Sequence, residues 1–145
     1  MDRKFSKRLG DIVDALGIKN GMRILEIGCG PGAMAREMVK RMDSGFVLGI
    51  DRSAKAIQQA VAASQDEIKS GRLSFRQVSI EKLKLNHDEE QFDIAIAVRV
   101  GALDGRHPEI ERQALTNISK ALTKKGKLFI DGGNPLKEIP LNKIF

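Results

Sequence analysis

Three glycines, Gly28, Gly30 and Gly32, separate the apolar run Met22-Arg23-Ile24-Leu25-Glu26-Ile27 from a helix-forming stretch that begins at Ala33. Residues without side chains let a backbone turn sharply and approach a ligand closely, and the free N–H groups of a helix start then face that ligand. Asp51 closes the next apolar run, nineteen residues after Gly32. A carboxylate in that place can accept hydrogen bonds from both hydroxyls of a ribose. Together the two features call for a cofactor containing a nucleoside. Gly28-Cys29-Gly30-Pro31-Gly32-Ala33 also satisfies the G-x-G-x-x-G/A pattern of dinucleotide sites, which keeps a nicotinamide dinucleotide among the readings. Glu26 argues against it, because an acid beside the turn repels a pyrophosphate and attracts cationic groups.

Other chemistry-bearing residues are few. His87 lies in the loop-like run Asn86-His87-Asp88-Glu89-Glu90 and reads as a solvated surface residue. His107, ahead of Pro108 at a helix entrance, is the better base candidate, although a capping or surface role is the plainer reading. Cys29 has no base beside it in the motif and reads as a small loop residue rather than a nucleophile. Two distant histidines and one cysteine make no ligand set, so no metal is expected. The catalytic residues stay unassigned.

The elements that must position these residues alternate in type. Phe5, Leu9, Ile12, Val13 and Leu16 recur at helical spacing and predict an N-terminal helix within residues 1–16, capped at Gly17. Strands are predicted at 22–27, 46–50, 73–78, 92–98 and 127–130. Helices are predicted after the glycine loop, from the N-cap Ser53 to Gly71, and from Pro108 to Gly126. Such alternation implies right-handed crossovers and a parallel sheet. The expectation is an α/β fold, a doubly wound and mainly parallel sheet of about five strands in a three-layer αβα sandwich. Residues 1–145 form one domain in this reading, with 132–145 as a short tail. Ligands then bind beyond the carboxyl ends of the strands, among the loops after Ile27, Ile50, Val78 and Val98.

Glu26-Ile27-Gly28-Cys29-Gly30-Pro31-Gly32 resembles motif I, acidic-x-Gly-x-Gly-x-Gly, of the class I S-adenosylmethionine-dependent methyltransferases. The resemblance covers nearly the whole chain. Val47-Leu48-Gly49-Ile50-Asp51-Arg52-Ser53 is similar to the family's second strand with its ribose-binding acid, and Phe92-Asp93-Ile94-Ala95-Ile96-Ala97 to its fourth. Ala121-Leu122-Thr123-Lys124-Lys125-Gly126-Lys127-Leu128 is similar to the turn before its fifth strand, with Lys125 in place of the usual proline. The resemblance implies that Gly28, Cys29 and Gly30 line the methionine portion of S-adenosylmethionine. Glu26 would order the loop, Gly32 admit the cofactor, Asp51 hold the ribose, Arg52 flank the adenine, and Ala97 complete the set.

Ser79 stands where the family often has an aspartate that receives the adenine amino group. A hydroxyl can accept that bond, without charge assistance, and Ile80 would pack on the adenine. Arg99, after the fourth strand, could attract an anionic substrate or the cofactor's carboxylate, or else turn to solvent or pair with Asp104. Arg99 and His107 are thus the substrate-side candidates. The Asn/Asp-Pro-Pro-aromatic signature of amino-methyltransferases acting on nucleic acid is absent from Val98-Arg99-Val100-Gly101-Ala102.

The family usually continues past its fifth strand with a helix and a β-hairpin. Asp131 to Phe145, with Pro135 and Pro140, is too short for both, and at most Ile139 to Ile144 adds one edge segment. The fifth strand is then expected as an exposed edge, covered by a second copy in a homodimer through Leu136, Ile139, Leu141, Ile144 and Phe145. The expected activity is in-line methyl transfer to an unidentified acceptor, a small molecule in preference to nucleic acid. The alternatives are a non-catalytic S-adenosylmethionine-binding subunit completed by a partner and, behind it, an NAD-binding domain.

Composition narrows the classes further. An apolar fraction of 41% is too high for a disordered chain. One cysteine in 145 residues excludes a disulfide scaffold and fits a reducing cytoplasm. No apolar run approaches the ~18 residues of a membrane span, and the charged first ten residues do not read as a signal peptide. The net charge of +6 is scattered, densest at Arg3, Lys4, Lys7 and Arg8, and reads as solvated helix faces. With no Trp or Tyr, a stacking platform for single-stranded nucleic acid is poorly supplied.

Overall fold

The computed structural model describes residues 7–100, 103 and 106–141. The helix α1 (Lys7–Ala15) leads to β1 (Arg23–Ile27), α2 (Ala33–Lys40), β2 (Phe46–Asp51), α3 (Ala54–Ala63), α4 (Gln65–Lys69) and β3 (Leu73–Gln77). A 3₁₀ turn (Ile80–Lys82), β4 (Phe92–Ala97), α5 (Pro108–Ala121), β5 (Leu122–Asp131) and β6 (Leu136–Ile139) follow. The sheet order is β3-β2-β1-β4-β5-β6. The first five strands are parallel and β6 is antiparallel to β5. From β1 the chain works outward to β3, then starts again at β4 on the other side. The switch point therefore lies between β1 and β4, where open α/β sheets form their ligand crevice.

Two apolar layers enclose the sheet, which is why β1, β2 and β4 read as almost unbroken hydrophobic runs. Leu25, Ile27, Leu48, Ile50, Ala95 and Ala97 pack with Ala114, Ile118 and Ala121 of α5. Their alternates Ile24, Val47, Ile94 and Ile96 pack with Ile12 and Val13 of α1 and Met34 and Met38 of α2. Burying one such Leu or Ile fully stabilises the fold by about 1.5–3 kcal/mol. At the opposite end from the crevice, the Arg23 guanidinium lies 4.8 Å from the centroids of both Phe46 and Phe92. Its Nε and Nη2 donate to the Gln91 and Glu90 carbonyls. That stack ties β1, β2 and β4 together.

Several expectations need correction. The helix predicted from Ser53 to Gly71 breaks at Ser64, a fully buried residue whose hydroxyl accepts a hydrogen bond from Arg36 Nη1 at 3.0 Å. α5 ends at Ala121 rather than at Gly126, and β5 begins at once. Leu122 is buried opposite Phe92, and the register then jumps to Ile94 opposite Lys127, leaving a bulge between. Gly126 serves that bulge. A Cβ there would stand 2.8 Å from Leu122 Cβ and 3.1 Å from the Phe92 carbonyl oxygen.

The sheet has six strands, β6 being an added edge segment, so β5 is not an open edge. β6 covers it from Leu128 to Asp131, and it spans 136–139 rather than 139–144. Leu136, Ile139 and Leu141 pack, partly buried, against this chain's own cores. Ile144 and Phe145 lie outside the described residues, as do Arg3, Phe5 and Asp104. Among the described residues, no helix is long and apolar enough to cross a membrane, and no three His, Cys, Asp or Glu gather as a metal site.

Candidate functional site

The glycine loop turns from β1 into α2 through three left-handed residues, Gly28 at φ 74°, Gly30 at φ 53° and Gly32 at φ 90°. Two of them answer to crowding. A Cβ on Gly28 would stand 2.9 Å from Val100 Cγ2, and one on Gly32 would stand 3.0 Å from Phe75 Cζ. Gly30 differs, since a Cβ there would meet nothing within 4 Å and would project into open space. The N–H groups of Gly28 and Cys29 both donate to the Ile50 carbonyl, at 2.8 and 2.9 Å, and so fix the loop to the end of β2.

Asp51 completes that anchorage. Its Oδ2 accepts the Gly30 N–H and its Oδ1 the Ser53 N–H, both at 2.9 Å. A carboxylate has about four lone-pair positions, so two remain for a ligand. The neighbouring loop is held in step: Val78 N–H donates to the Asp51 carbonyl, Gln77 Nε2 to the Arg52 carbonyl, and Asn117 Nδ2 of α5 to the Ile80 carbonyl.

Glu26 lies under the loop, 4% exposed, and its Oε1 has no hydrogen-bond partner. Burial first, and then the charge of Asp51, push its carboxyl up to about 8, while Arg36 pulls the other way. A buried acid with an unused oxygen is costly unless something arrives to pair with it. Burial also pushes the Cys29 thiol up, with Glu26 and Asp51 adding to the effect. A thiol so held is a poor nucleophile. Cys29 is a packing residue.

At the carboxyl ends of the strands lies a cavity of about 440 Å³ whose wall includes Gly28, Asp51, Arg52, Ser79, Ile80, Arg99 and His107. Seven of the residues singled out in the sequence therefore meet on one wall. Glu26, in β1, and Cys29, Gly30 and Gly32, in the loop, lie beside the wall rather than on it. Ala97 lies elsewhere, 1% exposed at the end of β4 on a second cavity of about 410 Å³ over β4 and β5. Arg99 lines both cavities. His107 precedes α5 as its N-cap, but its side chain makes no capping hydrogen bond and it is exposed at the cavity rim.

A family model described as a methyltransferase domain matches residues 18–144. The chain belongs to the methyltransferase-domain family. Among curated members, a sterol 24-C-methyltransferase of Aspergillus fumigatus is 34% identical over 101 residues, 67% of this chain and 26% of that protein. A ubiquinone biosynthesis O-methyltransferase of Alkalilimnicola ehrlichii is 38% identical over 87 residues, 59% of this chain and 33% of that protein. This methyltransferase domain thus spans about a quarter to a third of those relatives. Among solved structures, a SAM-dependent methyltransferase from Thiobacillus denitrificans, in complex with S-adenosyl-L-homocysteine, superposes with a TM-score of 0.68 at 21% identity. That superposition covers 90% of this chain and 50% of that one. The [4+2]-cyclase SpnF shares 27% identity with a TM-score of 0.67, over 85% of this chain and 43% of its own.

The cavity walls also contain residues that the sequence alone did not single out. Val78, Glu81, Val100, Arg106 and Ile110 line the first cavity. Asn117 carried a readable signal, a polar residue beside the apolar stripe Ala114-Ile118-Ala121 of α5. Val100 and Arg106 carried none: Val100 meets Gly28, and Arg106 joins Arg99 on the cavity wall, only in the folded chain.

Proposed function

We propose that this domain transfers a methyl group from S-adenosylmethionine to an unidentified acceptor, with a small molecule favoured. The unpartnered Oε1 of Glu26, buried beneath the glycine loop, carries the reading. A cationic group near the loop would supply the missing partner, whereas a pyrophosphate would bring negative charge toward an acid already destabilised by Asp51. The open space over Gly30 and the first cavity suit the same ligand. Glu26, Gly28, Gly30 and Gly32 would hold its methionine part, with Cys29 packing behind. Asp51 would take the ribose through its two unused lone pairs, Arg52 would flank the adenine, and Ser79 and Ile80 would face it.

When bound, this cofactor offers a methyl carbon that bonds to an acceptor lone pair while the carbon–sulfur bond breaks and its electrons stay on sulfur. The chain's own share is to bind, orient and keep the reacting groups in line. His107 would take a proton only from an acceptor that arrives protonated. A second reading, binding without methyl transfer, is favoured by the scarcity of buried bases on the cavity wall and by the likeness to a cyclase.

Parallel calorimetry with S-adenosylhomocysteine and NAD tests the cofactor. Binding of the first alone supports the proposal, and preference for the second overturns it. Turnover of methyl-labelled cofactor against a small-molecule panel then separates transfer from mere binding.

A further inference from the structure

The cofactor assignment leaves the second cavity unused. It lies over β4 and β5 and is lined by Ala97, Arg99, Val100, Arg106, Ile130 and Asp131. Arg99, Val100 and Arg106 line both cavities, so they form a shared partition. A molecule in the second cavity is therefore the neighbour of a molecule in the first. Group transfer needs that arrangement.

The charge on the partition indicates what fits there. Asp131 brings the negative charge, but that charge is offset: Oδ2 pairs with the Arg8 guanidinium at 3.2 Å, and Oδ1 accepts the Arg99 N–H at 3.1 Å. Arg99 stands at φ 59°, a left-handed conformation unfavourable for a residue with a side chain. The Asp131 hydrogen bond holds it there. The Arg99 guanidinium forms no ion pair among the described residues, and Arg106, itself engaged elsewhere, lines the same wall. Ala97, Val100 and Ile130 supply apolar surface beside them.

Resting on the methyltransferase reading above, we infer that the acceptor is a small amphipathic anion, its apolar body on Ala97, Val100 and Ile130 and its acidic group on Arg99. Arginine is suited to this, since its planar fork of donors matches a carboxylate, sulfonate or phosphate.

The test loads the protein with saturating S-adenosylhomocysteine and titrates 8-anilinonaphthalene-1-sulfonate, followed by its fluorescence. The uncharged N-phenyl-1-naphthylamine is the matched control. With no Trp or Tyr in the chain, intrinsic emission does not interfere. The sulfonate should bind at least about tenfold more tightly than the neutral ring system, the scale of one charge-assisted hydrogen bond. Arg99→Gln should remove about that tenfold while leaving neutral-probe and S-adenosylhomocysteine affinities within about twofold. Arg99→Lys should recover part of the loss, and Lys124→Gln, on the exposed bulge of β5, should change neither probe.

Equal binding of the two probes overturns the inference, as does equal loss in Arg99→Gln and Lys124→Gln. It is also overturned if Arg99→Gln weakens S-adenosylhomocysteine instead, because Arg99 then serves the cofactor's carboxylate. If wild-type protein fails to bind S-adenosylhomocysteine, the methyltransferase reading fails. The Arg99 dependence of sulfonate binding, measured on the cofactor-free protein, then decides the anion site by itself.

Discussion

Replacing Glu26 by Gln should make the empty protein more stable and the cofactor bind more weakly. The carboxyl is held up to about 8 against an ordinary value of 4.5, burial being the larger cause and Asp51 the next. Between those two pH values the folded chain binds one proton more than the unfolded chain. Stability contributed by the protonated form is therefore whole below pH 4.5 and is lost as pH rises through 8. At 1.4 kcal/mol per pH unit, the wild type gives up about 2 kcal/mol by pH 6 and about 4 kcal/mol by pH 8. Gln has similar shape and no charge, so Glu26→Gln escapes this loss. Urea unfolding of both proteins should show curves that nearly coincide at pH 4.5 and separate steadily as pH rises. Calorimetry at pH 7.5 should show the reverse order for S-adenosylhomocysteine, with the variant weaker by about tenfold, since an ammonium loses its buried counter-charge. A stability gap that does not change with pH, or a variant less stable at pH 8, would refute the burial argument. Unchanged cofactor affinity would refute the assignment of Glu26 to the ligand.

Four other outcomes follow from the loop and its anchor. Asp51→Ala removes the acceptor for the Gly30 and Ser53 N–H groups and should weaken S-adenosylhomocysteine by about 1.5–3 kcal/mol in calorimetry. Gly28→Ala places a methyl 2.9 Å from Val100 Cγ2 at φ 74°, and urea melts should show a loss of about 1–2 kcal/mol or more, of which Val100→Ala restores only the steric part. Gly30→Ala carries similar backbone strain with no clash, so it should melt nearer to wild type while losing more cofactor affinity than its stability loss explains. Cys29 is buried with its thiol pushed upward, and mass spectrometry should find it unmodified by iodoacetamide at pH 8 until denaturant is added.

The parts of this fold that could be read from the sequence are those set by local chemistry. Buried parallel strands declare themselves as apolar runs such as Phe92-Asp93-Ile94-Ala95-Ile96-Ala97, and a three-glycine turn has few other uses. The errors arose where a distant contact overrode a local signal. Gly126 looks like a helix stop, yet it is needed because Leu122 of its own strand and the Phe92 carbonyl of β4 crowd it at the bulge. Ser64 looks like a residue within a helix, yet Arg36 of α2 reaches it and the helix breaks there. β6 is short, with Lys137 and Glu138 exposed, so its sequence shows no strand pattern; pairing with Leu128 to Asp131 makes it one. At the site, the pattern that marks Asp51 for a ribose carries no sign of its structural part, which is to hold Gly30 and Ser53 in place.

Three local faults lie at one end of this sheet: an unpaired buried acid at Glu26, a non-glycine left-handed residue at Arg99, and a glycine loop whose middle residue faces empty space. The first two lower the stability of the empty protein and the third leaves room at the loop, while elsewhere the chain is consistently packed, with Arg23 stacked between two rings and two closed apolar layers. Faults spread at random over a fold suggest poor packing. Faults concentrated where strands from both sides of the switch point end suggest groups held ready for something absent. The signs of the charges differ across the crevice, with acids at Glu26 and Asp51 beside the loop and arginines at Arg99 and Arg106 between the two cavities. A ligand with a cationic group at one side and a partner with an acidic group at the other would satisfy both. The order of binding then has a physical basis, because a bound cation near Glu26 draws the carboxyl toward its charged form and releases a proton, whereas an anion at Arg99 does not. Calorimetry in buffers of different ionisation enthalpy should therefore find proton release with S-adenosylhomocysteine near pH 7 and none with the naphthalene sulfonate, and release that persists in Glu26→Gln would break this link.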